Sequence, residues 1–206
     1  MASAPGRLIA LEGIDGCGKS TQARLLADRL GAVLTFEPGA TALGASLRTL
    51  LLHPDQPAVA ERAEALLMAA DRAQHVAEVV RPALGRGEWV VTDRFSASTL
   101  AYQGYGRSLD IGELAQLVEW ATGGLTPDLA ILVEVDPALG LARRRGSVDD
   151  RMEAEGDGFL QRVADGYRRV VERQETPWLV VDGGGTIDQV AAEIWAGVQS
   201  RFGDRR

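Results

Sequence analysis

Apolar and polar positions alternate in blocks along the chain, and each block has the length of one strand or one helix. Five short apolar runs predict buried strands, at residues 8–11, 32–37, 89–92, 128–135 and 177–182. Between these runs, apolar residues recur every three or four positions, as Val190, Ile194 and Val198 do. This spacing predicts helices, so strand and helix alternate throughout the sequence.

Three of the predicted helices have distinctive sequences. The helix after the second strand ends before His53 and has a leucine face made of Leu43, Leu47, Leu50 and Leu51. Residues 58–84 predict a long alanine-rich helix, bent near Pro82 because proline cannot donate the helical hydrogen bond. Asp110 and Glu113 have the spacing of a capping box, which predicts a helix start at that point.

The alternation, with strands that are continuously apolar, predicts an α/β fold in which helices cover both faces of a parallel sheet. In such sheets, ligands bind beyond the carboxyl ends of the strands. Polar side chains follow the predicted strands at Glu37, Asp93, Arg94, Asp136 and Asp182. Because no repeat or linker interrupts the pattern, we expect one domain over residues 1–206, with a flexible start at residues 1–6.

The loop after the first strand has the pattern Gly-x-x-x-x-Gly-Lys-Ser. Its glycines let backbone N–H groups curl around phosphate oxygens at the start of a helix. Lys19 would reach the outer phosphates, and Ser20 would offer Mg²⁺ an oxygen ligand. Lys19 is also the only lysine in the chain, which argues against an accidental match. The predicted ATP-phosphate site consists of Gly13, Ile14, Asp15, Gly16, Cys17, Gly18, Lys19, Ser20 and Thr21.

Composition narrows the class of protein further. The net charge of −7 argues against a nucleic-acid or membrane-surface binder, and no apolar run is long enough to span a membrane. The one cysteine, Cys17, cannot form an intramolecular disulfide, which predicts a cytoplasmic location. Guanine-nucleotide switches need a second lysine to read their base, and transport ATPases need a Ser-Gly-Gly signature. Neither is present, so a small phosphotransferase is favoured.

Motifs along residues 8–202 resemble those of thymidylate kinases and occur in that family's order. They lie at residues 12–21, 37–41, 47–52, 70–76, 93–104, 127–129 and 150–153. Glu-Pro-Gly combined with Asp-Arg-Phe-x-x-Ser-x-x-x-Tyr-Gln-Gly is the most specific pair. The resemblance implies a three-layer P-loop kinase fold with a short lid at about 143–158. It also implies transfer of the ATP γ-phosphoryl group to dTMP with Mg²⁺, for dTTP synthesis, in a homodimer.

The resemblance also implies roles for individual residues. Arg94 and Arg48 would grip the dTMP phosphate, while Asp15 orients Arg94 and Asp93 holds the metal through water, together with Ser20. Arg72 would read the thymine edge, and Tyr102 would exclude a ribose 2′-hydroxyl. The implied dTMP site consists of Asp15, Glu37, Pro38, Arg48, Met68, Arg72, Arg94, Ser98, Thr99, Tyr102 and Gln103. The implied catalytic residues are Lys19, Asp15, Asp93, Arg94, Arg151 and Arg145.

The phosphate loop indicates a type within the family, and the chain departs from the family pattern at two places, Met68 and Phe36. Some family members carry a catalytic arginine in the phosphate loop, at the position where this chain has Gly16. The chain resembles instead the bacterial type, in which arginines of the lid supply that positive charge. The lid candidates are Arg151 with one or more of Arg143, Arg144 and Arg145, of which Arg143 is also assigned to ATP. Met68 replaces an aromatic ring that stacks on thymine, and Phe36 replaces an arginine. Core packing is the alternative role for both.

Two other functions fit part of the pattern. A deoxynucleoside kinase would use Glu37 as the base that deprotonates a 5′-hydroxyl, although Arg48 and Arg94 suit an acceptor that already carries phosphate. A non-catalytic nucleotide-binding module would have no use for arginines in the lid. His53 and His75 are isolated from each other, and we expect them at surface or helix-packing positions. The four tryptophans lie in apolar stretches, so we expect them in the core or at an interface: Trp89, Trp120, Trp178 and Trp195.

Overall fold

A computed structural model describes residues 5–144, 157–173 and 176–203 of the chain. Within these residues, five parallel strands form one sheet in the order β2-β3-β1-β4-β5. The strands are β1 (Leu8–Glu12), β2 (Val33–Phe36), β3 (Val90–Asp93), β4 (Leu129–Glu134) and β5 (Trp178–Asp182). The predicted five-stranded parallel sheet is therefore confirmed.

The carboxyl ends of the strands form one edge of the sheet. Asp93 at the end of β3 is in register with Leu11 on one side and Phe36 on the other. At the opposite side of the sheet, Glu134 is in register with Asp182. The loops that follow the strands therefore meet at this edge, where a parallel sheet binds ligands.

Helices cover both faces of the sheet. They are α1 (Lys19–Leu30), α2 (Ala42–Leu52), α3 (Glu61–His75), α4 (Arg81–Gly85), α5 (Ser96–Thr99), α6 (Ile111–Thr122), α7 (Pro137–Arg144), α8 (Asp157–Glu172) and α9 (Ile187–Phe202). Alternate residues of β1 enter two separate cores: Ile9 and Leu11 join the larger one, Leu8 and Ala10 the smaller. Since successive side chains of a strand point to opposite faces, the two cores lie on opposite faces, which makes the predicted three layers.

The predicted long helix at 58–84 begins later and is interrupted. Residues Val76–Val80 form a π-helical turn between α3 and α4. Pro82 lies two residues after this turn and has no N–H to give to the carbonyl of Glu78, so the helical hydrogen-bond pattern changes close to the position of the predicted bend. A second π-helical segment, Leu100–Gly106, continues α5. The cap at Asp110 formed as predicted, since its side chain accepts from the N–H of Glu113.

The structure adds detail at the leucine face of α2 and at the ends of the predicted lid. The leucine face of α2 is only partly buried: Leu51 is enclosed, but Leu43 and Leu50 are 47% and 39% exposed. The ends of the predicted lid are helical, because α7 continues through Arg144 and α8 begins at Asp157. Within the described ranges, no helix is long and apolar enough to cross a membrane.

Candidate active site

The phosphate loop joins β1 to α1 at the carboxyl edge of the sheet. Three of its glycines have positive φ angles: 145° at Gly13, 79° at Gly16 and 95° at Gly18. Residues with side chains rarely adopt such angles, so the curled path depends on glycine. Helix α1 then begins at Lys19, which directs its N-terminal N–H groups and partial positive charge toward the loop.

Close packing fixes the small residues of this loop. A Cβ atom at Gly16 would collide with the carbonyl oxygen of Gly140 in α7. The loop therefore has no room at position 16 for the arginine that some other phosphate loops carry there. Cys17 is buried, and a Cβ at Gly13 would lie 2.8 Å from its sulfur. Burial raises the pKa of the Cys17 thiol, which keeps it protonated. Cys17 therefore acts as a small filler.

A cluster of charges joins the phosphate loop to Arg94 and Tyr102. Asp15 Oδ1 accepts from Arg94 Nη2 at 2.6 Å and from Lys19 Nζ at 3.1 Å. Asp15 Oδ2 accepts from the Tyr102 hydroxyl at 2.8 Å. Burial alone would raise the pKa of Asp15, but the charges of Arg94 and Lys19 outweigh it and hold the pKa well below its usual range. Asp15 is therefore an anion that holds two cations close to the phosphate loop.

A cavity of about 460 Å³ adjoins this cluster and fits a metal site. It is lined by Ser20 and Asp93, the two predicted metal ligands, and by Lys19 and Arg94. Asp93 Oδ1 is buried and has no hydrogen-bond partner among the described residues. A buried carboxylate oxygen without a donor suits a metal ion or its bound water. These residues therefore fit Mg²⁺, although no acidic or histidine cluster for direct ligation occurs in the described part of the chain.

A second cavity brings the predicted acceptor residues together. Its lining consists of Asp15, Glu37, Pro38, Arg48, Leu52, Met68, Arg72, Arg94, Ser98, Thr99, Tyr102 and Gln103. All residues of the predicted dTMP site are among them, and only Leu52 is additional. Met68 lines the cavity, as a side chain that packs against the base would. Arg48 contacts the adjacent turn, since its Nη1 donates to the carbonyl of Pro38 at 2.8 Å.

The floor of this acceptor cavity is a buried polar network. Arg72 Nε donates to Glu37 Oε2 at 2.8 Å, and Arg72 Nη1 donates to Thr99 Oγ1 at 2.7 Å. The other Glu37 oxygen, Oε1, is 2.8 Å from His75 Nδ1, and His75 Nε2 is 2.7 Å from Thr35 Oγ1. Both oxygens of Glu37 are thus bonded within the protein. His75 does pack in a helix as predicted, but its contact with Glu37 was not foreseen.

A second buried network holds Gln103. Its Nε2 donates to Glu64 Oε1 at 2.9 Å, and Arg107 Nη2 donates to Glu64 Oε2 at 3.1 Å. Because a carboxylate only accepts, Glu64 fixes the orientation of the Gln103 amide. The sequence contained a signal for these contacts, since four polar residues of α3 recur at helical spacing and are buried: Glu64, Asp71, Arg72 and His75.

A third cavity, of about 550 Å³, lies on the other side of the phosphate loop. Arg143 and Arg144 line it, and Arg143 Nη1 donates to the carbonyl of Gly183 at 2.8 Å. The segment after β5 lines it as well, whereas the sequence indicated only the strand end at Asp182. These lining residues are Gly183, Gly185, Thr186, Ile187 and Val190. The remaining lid candidates, Arg145 and Arg151, lie outside the described residues.

Fold and site together define a P-loop phosphotransferase with separate donor and acceptor cavities. The family model for thymidylate kinase matches residues 11–194 of the chain. The thymidylate kinase of Prochlorococcus marinus strain MIT 9303 is 49% identical to the chain, over 96% of this chain and 96% of that protein. The thymidylate kinase of Synechococcus sp. strain RCC307 is 50% identical, over 92% of this chain and 93% of that protein. Crystalline thymidylate kinase from Ehrlichia chaffeensis gives a TM-score of 0.76 at 32% identity, covering 95% of this chain and 100% of that one. The chain belongs to the thymidylate kinase family.

Proposed function

We propose that the chain transfers the γ-phosphoryl group of ATP to dTMP, giving dTDP and ADP in dTTP synthesis. The observation that carries this proposal is the arrangement of the three cavities around Asp15, which lines all of them. Three arginines line the acceptor cavity, and two of them, Arg48 and Arg94, suit an acceptor that carries phosphate. A donor in the phosphate loop and an acceptor phosphate at Arg94 would therefore meet beside Lys19.

The chemistry in this site is positioning and charge neutralisation. Lys19 would move from Asp15 to the β- and γ-phosphates of ATP, and Arg94 would hold the acceptor phosphate in line with the donor. Mg²⁺, held near Ser20 and Asp93, would neutralise charge on the donor phosphates. The acceptor oxygen is already anionic, so the reaction needs no general base. Arg151 and Arg145 would complete the charge from the lid.

The structure also supports this reaction over that of a deoxynucleoside kinase. A base that accepts a proton from a 5′-hydroxyl needs a carboxylate oxygen within hydrogen-bond reach of the substrate. Both oxygens of Glu37 are engaged, by Arg72 and His75, and its side chain is 3% exposed. Glu37 therefore suits the role of an anion that orients Arg72 below the base.

A panel of acceptors with ATP and Mg²⁺ tests the proposed function. We expect phosphorylation of dTMP and none of thymidine, because only dTMP brings the phosphate that Arg48 and Arg94 bind. We expect UMP to be rejected, since the Tyr102 hydroxyl is held by Asp15 and Arg94 and its ring would occupy the space of a 2′-hydroxyl. Conversion of thymidine alone would favour the nucleoside-kinase alternative, and no conversion of any acceptor would favour the binding module.

We also propose that the protein is a cytoplasmic homodimer. Helices α3 and α6 pack against each other, and each leaves a large apolar side chain in solvent: Leu66 is 59% exposed and Trp120 82%. Exposed tryptophan on a helix surface is typical of an interface. Residues Arg62 and Glu113 join the same two helices by a surface ion pair, which places polar contacts beside the apolar ones.

Sedimentation velocity of a Trp120→Asp variant tests the dimer. We expect the unaltered protein to sediment as a dimer at micromolar concentration and the variant as a monomer, because the change buries a carboxylate in the interface. Ser200→Asp adds the same charge on the exposed side of α9 and should leave the dimer intact. A variant that remains dimeric would exclude this face as the contact.

A further inference from the structure

Arg94, the proposed acceptor-phosphate ligand, has an unusual backbone. Its φ angle is 73°, a left-handed conformation that residues with side chains rarely adopt. The peptide groups on both sides are held in place: the Arg94 N–H donates to the carbonyl of Leu11 at 2.8 Å, and Thr92 Oγ1 donates to the carbonyl of Arg94 at 2.8 Å. Such strain persists only where surrounding contacts determine the conformation, and it is common at functional sites.

The two terminal nitrogens of Arg94 contact different groups. Nη2 donates to Asp15 and Tyr102 on the side of the phosphate loop. Nη1 donates to Ser98 Oγ at 3.2 Å and to the Tyr167 hydroxyl at 3.1 Å, as well as to the carbonyl of Gly13. The Nε–H has no hydrogen-bond partner among the described residues, although Arg94 lines the acceptor cavity. It is the donor that remains for an acceptor phosphate.

Behind Ser98 and Tyr167 lies a second carboxylate, Glu12, at the end of β1. Glu12 Oε2 accepts from Ser98 Oγ at 2.6 Å and from the Tyr167 hydroxyl at 3.1 Å. Its Oε1 accepts from the N–H of Phe95 at 2.9 Å, the peptide group directly after Arg94. Glu12 is 1% exposed and Tyr167 also 1%, so this network is closed to water.

We infer that Glu12 and Tyr167 are positioning residues that aim Arg94 at the acceptor phosphate. Glu12 restrains the backbone after Arg94 through Phe95, and it restrains the guanidinium through two hydroxyl groups. Asp15 can hold the other edge of the guanidinium but cannot by itself fix the direction of its Nε–H. The inference rests on the proposed role of Arg94 in binding dTMP.

The electrostatics of the network agree with this role. Burial raises the pKa of Glu12, while the hydrogen bond from Ser98 and the charge of Arg94 oppose that rise. Glu12 and Arg94 are thus coupled by charge although no hydrogen bond joins them. Burial, and then the charge of Glu12, raise the pKa of Tyr167 well above its ordinary value, so its hydroxyl stays protonated and can donate.

A double-mutant cycle tests the inference. Tyr167→Phe removes one oxygen from the network, and we expect kcat/KM for dTMP to fall roughly tenfold while KM for ATP is unchanged. If Tyr167 acts through Arg94, the same change in an Arg94→Lys background should cost less than about twofold. Glu12→Gln should show the same pattern, so the test does not depend on one variant.

Tyr105→Phe is the matched control for Tyr167→Phe. The Tyr105 ring packs against Gly166 of α8, the helix that also carries Tyr167. Tyr105 makes none of the hydrogen bonds to Arg94 or Glu12 described above. We expect Tyr105→Phe to leave kcat/KM for dTMP unchanged. Full tenfold losses in the Arg94→Lys background, or an equal loss in Tyr105→Phe, would overturn the inference. Turnover of dTMP by the unaltered protein in the same assay tests the proposed function separately.

Discussion

Replacing Lys19 by methionine is expected to reduce phosphorylation of dTMP by about a thousandfold, or about 4 kcal/mol of transition-state stabilisation. Methionine keeps most of the side-chain volume but removes the ammonium group that would neutralise the transferring phosphoryl group. The fold should survive, because Asp15 keeps its shorter contact with Arg94 after Lys19 is lost. Steady-state kinetics with ATP and dTMP, together with the melting temperature, measure both effects.

Because Lys19 is the only lysine in the chain, its side chain can also be followed by NMR. Protein labelled with isotopic lysine gives one lysine side-chain resonance, and we expect ATP with Mg²⁺ to shift it. Arg29→Met is the matched control, because it removes a cation from the last turn of the same helix, where Arg29 stacks on Trp195. Its activity should stay within about twofold of the unaltered protein. A lysine resonance that does not shift when ATP is added would contradict the proposed contact between Lys19 and the ATP phosphates.

The strands could be predicted closely because their apolar runs are bounded by polar residues. Each predicted strand end lies within one residue of the structure, as for residues 177–182 against Trp178–Asp182. The convergence of the strand ends followed from the parallel sheet, since parallel strands must end at one edge. The acceptor cavity gathers the predicted residues for the same reason: their motifs follow β1, β2 and β3 or lie on the helices after β2 and β3.

The contacts behind these residues could not be predicted, because they join positions far apart in sequence. Tyr167 reaches Glu12 across 155 residues, and His75 reaches Glu37 across 38. Periodicity shows which face of a helix is buried, but it does not show which polar groups meet there. The same limit explains why Leu43 and Leu50 share a face of α2 and are nevertheless exposed.

Replacing Arg94 by lysine is expected to lower kcat/KM for dTMP by roughly a hundredfold to a thousandfold. Lysine keeps the charge but has one nitrogen, whereas the Arg94 guanidinium binds five groups and leaves Nε–H for the substrate. Arg94 contacts the phosphate loop at the Gly13 carbonyl and at Asp15, but the curled path of the loop depends on its glycines, so KM for ATP should change less than kcat/KM for dTMP. Steady-state kinetics with each substrate varied in turn separate these two effects.

The matched control is Arg168→Lys, at an exposed arginine that binds Glu134 and Asp165. It should leave activity unchanged, since exposed ion pairs contribute little. Calorimetric titration of Arg94→Lys with dTMP and with thymidine then shows which part of the substrate Arg94 contacts. Loss of dTMP affinity with thymidine affinity unchanged would assign Arg94 to the phosphate. An equal loss for both ligands would mean that Arg94 maintains the cavity and that another cation, such as Arg48, binds the phosphate.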